Sequence, residues 1–99
     1  MSLFEDLKFA KHPAGLAWSG NKHFKNGYKI SVAAGESMYS TPKLYLRSPG
    51  DYTTYEIAVL DKDNEWATKQ FFPEHNDDVL GWLTKEEVSE LMQRIENTK

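Results

Sequence analysis

A chain of 99 residues with 12 Lys or Arg, 15 Asp or Glu and a net charge of −3 reads as one domain, residues 1–99, with its own core. The absence of cysteine excludes a disulfide framework, a thiolate nucleophile and any zinc site that needs sulfur. An aromatic share of 13% offers large burial per residue and argues against disorder.

The opening segment, "MSLFEDLKFAKH", mixes two acids with two lysines and has no continuous apolar run, unlike a secretory leader. With no later stretch long enough for a membrane span, the expectation is a soluble intracellular protein with no membrane partner.

From Gly15 to Phe24 a first strand is expected, with Gly20 weakening its pairing or marking a bulge. Asn26-Gly27 follows as a hairpin turn, because both residues tolerate positive φ. In "YKISVA" the alternation of Tyr28, Ile30 and Val32 against Lys29 and Ser31 predicts a half-buried strand. The small, polar stretch Ala33–Pro42 reads as a loop. Pro49-Gly50 then suits a type II turn opening a second hairpin, whose strands are Thr54–Leu60 and Glu65–Phe72, joined by the turn "DKDN".

The last third changes period. Val88, Leu91, Met92 and Ile95 recur at helical spacing, Thr84 and Glu87 form a capping box, and Leu83 and Val88 suit a hydrophobic staple. Leu80 and Trp82, just before, are expected to plug the edge of the helix–sheet interface. The fold class is therefore α+β: an antiparallel sheet of four to five strands, from two hairpins, with one C-terminal amphipathic helix on one face.

"NGYKISV", "YEIAVL" and "DDVLGWLTKEEVSELMQRI" resemble, in this order and spacing, a group of small uncharacterised proteins encoded by tailed bacteriophages. The group's pattern has an NGY-x-x-SV strand, a YEVAVL strand and a DVIGYLT element before the final helix. This chain departs from it with Lys29-Ile30 after the NGY and with Trp82 in place of Tyr. The resemblance implies a phage gene acting inside a bacterium, and it brings no site residue with it.

Chemistry-bearing residues are sparse. "DKDNE" begins like a calcium loop, but the sixth and twelfth positions, which need Gly and Glu, hold Trp66 and Phe72. His75 stands among carboxylates in "PEHNDD" without any metal-ligand or acid–base spacing. No nucleophile elbow or glycine-rich phosphate loop occurs, so no enzyme, no metal and no cofactor is expected.

Two binding classes remain. Residues 1–50 hold seven Lys or Arg against three acids and residues 51–99 hold five against twelve, and segregated charge steers partners. Surplus aromatics, with Tyr39, Tyr45, Arg47 and Trp66 as candidate contact residues, point to protein binding: a host factor, or self-association as a homodimer. The alternative is nucleic-acid binding by the basic hairpin, through Lys22, Lys25, Tyr28 and Lys29. Alternation sends Tyr28 and Lys29 to opposite faces, and the acidic net charge further weighs against that alternative.

Overall fold

The structure, a computed structural model, describes residues 2–13 and 15–98. Five strands form one antiparallel sheet in sequence order: β1 (Lys8–Lys11), β2 (Ala17–His23), β3 (Lys29–Gly35), β4 (Tyr55–Leu60) and β5 (Leu80–Leu83). A short helix α1 (Thr68–Phe71) lies between β4 and β5, and α2 (Lys85–Glu96) follows β5. The expected α+β architecture is therefore present. Among the described residues no helix is long and apolar enough to cross a membrane.

Directly opposed residues of neighbouring strands share a face, so the register divides the sheet in two. Ile30, Val32 and Ala34 of β3 and Tyr55, Ile57 and Val59 of β4 stand on the core face and are essentially inaccessible. Val88, Leu91, Met92 and Ile95 of α2 are buried in the same core cluster. At about 1.5–3 kcal/mol for each fully buried side chain of this size, that face is what holds α2 down. The helix start is fixed as its sequence requires: Thr84 Oγ1 accepts from the Glu87 amide at 3.2 Å, and Glu87 Oε1 accepts from the Thr84 amide at 2.9 Å. Its flank is tied to the N-terminal segment, where the Phe4 amide donates to Ser89 Oγ and the Ser2 hydroxyl to Glu96 Oε2, both at 2.8 Å. The Ser2 hydrogen bond holds the Glu96 carboxyl below its ordinary pKa.

Tyr55 packs its ring on Phe4 at 4.8 Å and Tyr52 at 5.9 Å, and its hydroxyl donates to the Pro49 carbonyl. Burial is the main cause that pushes its pKa up to about 12.

The Asn26-Gly27 turn forms, but only Gly27 takes positive φ, at 98°. Asn26 has another duty. Its Oδ1 accepts from the Tyr28 amide, and its Nδ2 donates to the carbonyls of Ile95 and Thr98, both at 2.7 Å, bracing the C-terminal end of α2.

Several expectations are corrected. Gly20 sits in unbroken register between Phe9 and Val32; a Cβ there would meet the Phe9 ring at about 3.1 Å, so its smallness makes room for that ring. Lys8–Lys11 is a strand that the sequence reading left out, since Phe9 is its one large apolar residue. The second hairpin is not built as expected. Gly50 does not take positive φ, and Pro49–Asp51 is a 3-10 turn capped by Ser48. The chain before it is irregular because the Tyr52 hydroxyl, accepting from the Leu46 amide and donating to the Leu44 carbonyl, satisfies backbone groups that a strand partner otherwise would. Glu65–Phe72 is not a full strand either. Trp66 alone bridges to Leu60, and the chain then coils into α1 so that Ala67 and Phe71, four residues apart, both reach the core.

A candidate protein-binding face

The other face of the sheet lies away from the core cluster, although Ala33 and Ala58 on it are buried. By register it presents Lys8 and Ala10 of β1, Ser19 and Asn21 of β2, Lys29, Ser31 and Ala33 of β3, and Glu56, Ala58 and Leu60 of β4. None of these belongs to the core cluster.

The bulk on this outer face comes from three rings at its β4–β5 side. Trp66 bridges to Leu60, which places its side chain on Leu60's face, and it is 57% exposed. Trp82 arrives there through a bulge. Leu80 opposes Ile57 and Leu83 opposes Tyr55, which leaves both Gly81 and Trp82 facing the single residue Glu56. The extra residue resets the alternation, so Leu80 and Leu83 both point to the core while Trp82 turns outward. Leu80 and Trp82 are expected at the edge of the helix–sheet interface: Leu80 packs against the core, and Trp82 borders the groove between β5 and α2 while remaining 56% exposed. Its φ of 61° is unusual for a bulky side chain and costs about 1–2 kcal/mol.

That conformation is held by Tyr39. The Trp82 amide donates to the Tyr39 carbonyl at 2.9 Å, the two rings stack at 5.1 Å, and the Tyr39 amide donates to Glu56 Oε1 at 3.2 Å. Gly81 makes the approach possible, because a Cβ there would fall 2.3 Å from Tyr39 Cβ. Lys43 Nζ lies 5.2 Å from the centre of the Tyr39 ring. The result is a rigid aromatic platform on the surface, stacked on itself and backed by glycine.

Of the four expected contact residues, Tyr39 and Trp66 share this outer face. Tyr45 does not: half-buried, it stacks on Trp18 at 5.9 Å, on the core side of β2. Arg47 is exposed in the irregular loop after it. The basic hairpin residues are divided. Lys22 opposes Ile30, on the side of α2, where its charge acts on Glu96. Lys29 faces the opposite way, Lys25 is exposed in the turn, and the Tyr28 hydroxyl is hydrogen-bonded to Gln70 while its ring meets Phe71 edge-on.

The polar loops serve themselves. Asp61 Oδ1 accepts from the amides of Asp63 and Glu65, closing its own turn. His75 Nε2 donates to the Val79 carbonyl at 2.8 Å. Among the described residues no group of three His, Asp or Glu side chains converges as metal ligands would. A groove of about 320 Å³ between β5 and α2 is lined by Phe72, Leu80, Trp82, Leu91, Glu87 and Arg94, so Trp82 also borders the helix side of the β5 edge; Glu87 is spent on the helix cap and Arg94 donates to the Phe71 carbonyl.

Sequence reasoning missed Trp82, and one signal could have found it. Leu80 and Leu83 are three residues apart, and a regular strand cannot turn both to one face. No protein-family model, curated protein or solved structure matches this chain.

Proposed function

We propose that this chain is a small, non-enzymatic, phage-encoded protein of the bacterial cytoplasm that acts by binding protein, either a host factor or a second copy of itself, through the outer face of its sheet. The observation that carries the reading is the Tyr39–Trp82 pair. A tryptophan held at positive φ and more than half exposed is costly for folding alone, and strained, rigid residues of this kind gather at functional surfaces. Exposed Trp and Tyr held in fixed positions are also what protein interfaces use as anchors.

Both sheet edges argue for the face over strand addition. β1 has four residues and carries Lys8 and Lys11; β5 has four residues, is bulged, and gives its Trp82 amide to Tyr39. Short, charged or bulged edges resist pairing with another chain. The hairpin alternative for nucleic acid has less support, because Lys22 and Lys29 face opposite sides of the sheet.

The test is photocrosslinking in the bacterium expressing the chain, with a photoreactive phenylalanine analogue replacing Trp66, Trp82 or, as a control on the helix, Glu86. Protein adducts from positions 66 and 82 but not from 86 are expected. Adducts from 86 alone, or adducts removed by nuclease, would overturn the reading.

A further inference from the structure

The Asn26-Gly27 turn carries a reactivity unrelated to the outer face. Asparagine followed by glycine readily loses its side-chain amide, because glycine has no Cβ to hinder its own amide nitrogen from reaching the preceding side chain. The fold nevertheless demands both residues. Position 27 stands at φ 98°, and a Cβ there would fall 2.7 Å from Lys62 Cβ, so only glycine fits. Position 26 must supply donors, since its Nδ2 serves the carbonyls of Ile95 and Thr98 while its Oδ1 accepts from the Tyr28 amide at 3.1 Å.

We propose that Asn26 is a deamidation site guarded by its own hydrogen bonds, and that its conversion irreversibly releases the C-terminal end of α2. In the reaction the Gly27 nitrogen bonds to Asn26 Cγ, the Cγ–Nδ2 bond breaks, and Nδ2 leaves as ammonia with the proton that Gly27 gives up. The product is a five-membered succinimide. Water then opens the ring at either carbonyl, giving aspartate or isoaspartate. One water is consumed and one ammonia released, with no change of oxidation state.

The folded chain opposes the first step at both reacting groups. The Gly27 amide donates to the Phe24 carbonyl at 3.0 Å, and the Asn26 side chain is pinned by its three hydrogen bonds. Ring closure therefore draws on molecules in which the helix end has opened. Once the amide is gone the latch cannot re-form. An ionised aspartate only accepts hydrogen bonds, and here it would set its charge against two carbonyls at the negative end of the helix. Isoaspartate also adds a carbon to the backbone of the turn. Either product leaves those carbonyls without their donor.

The test is to age the full chain at mildly alkaline pH, folded and in urea, and to follow amide-to-acid conversion at each asparagine by peptide mass spectrometry. In urea Asn26 should convert faster than Asn21, Asn64, Asn76 and Asn97, none of which precedes glycine. In the folded chain its conversion should be at least about tenfold slower than in urea, because the guard opens only by local unfolding. The aged product and Asn26→Asp should both show faster amide exchange over residues 95–98 with the sheet unchanged. If Asn26→Asp does not fold, the aged chain, separated by its extra charge, carries the exchange measurement, and the ratio of rates needs no variant. Conversion in urea no faster than at the other asparagines, equal rates in the folded and unfolded chain, or a product with the parent's exchange at the helix end would each overturn the proposal.

Discussion

On the core face of β3 and β4, Ile30, Val32, Ile57 and Val59 are at most 1% exposed and pack under α2. On the other face of the same two strands stand Lys29, Ser31, Ala33, Glu56, Ala58 and Leu60, of which only the two alanines are buried. Strand alternation alone produces the division, since neighbours in the chain go to opposite faces. What differs is the job of the large residues. Those of the core face are interchangeable packing volume. Those of the outer face, Tyr39, Trp66 and Trp82, are few, exposed and individually positioned. One sheet thus separates buried packing from exposed, positioned rings at single-residue resolution.

The comparison can be broken most sharply by adjacent substitutions. Ile57→Ala should cost about 2–5 kcal/mol in chemical denaturation, the loss expected when a fully buried side chain leaves a cavity. Ser31→Ala, on the outer face of the neighbouring strand, should stay within about 0.5 kcal/mol of the parent. Comparable losses would mean that the outer face also carries the fold.

The next largest effects come from two small structural devices. Gly81→Ala forces its new Cβ against Tyr39 and should cost about 1–3 kcal/mol while also disturbing the aromatic platform, visible as a change in tryptophan fluorescence. Asn26→Ala leaves the end of α2 without its two side-chain donors and should cost a similar about 1–3 kcal/mol, with faster amide exchange confined to the last turn of the helix. A loss spread evenly over the sheet would contradict the role given to Asn26.

A subtler probe is alkaline pH. Tyr55 has a raised folded-state pKa of about 12 against an ordinary value of 10.0, so the unfolded chain releases that proton first. Its contribution to stability is complete below about pH 10 and is lost as pH rises through the folded value. Tyr55→Phe, measured by thermal unfolding, should flatten that decline.

Much of this division was legible in the sequence, and the particular residues say why. The alternation of Tyr55, Ile57 and Val59 and the helical spacing from Val88 to Ile95 each repeat one local rule several times, and both elements form as read. The type II turn at Pro49-Gly50 does not form because Ser48 caps a 3-10 turn there and the Tyr52 hydroxyl holds the backbone just before it at residues 44 and 46. Glu65–Phe72 failed because Phe71 gains more by reaching the core from a helical turn than by continuing a strand. Of the exposed rings, Tyr39 and Trp66 are legible from composition, whereas the outward exposure of Trp82 is not. A bulge changes every later parity in a strand, and its cause here, the fit of Tyr39 over Gly81, links residues 42 positions apart.

The claim that the outer rings serve recognition rather than folding is tested most directly by the unfolding free energy of the Trp66→Ser/Trp82→Gly double variant. Glycine at position 82 relieves the positive φ, which offsets the lost ring stack, and both side chains are more than half exposed. The account predicts a stability within about 1 kcal/mol of the parent. A loss of about 3 kcal/mol or more, the scale of a core deletion, would mean that these tryptophans hold the molecule together and would contradict it.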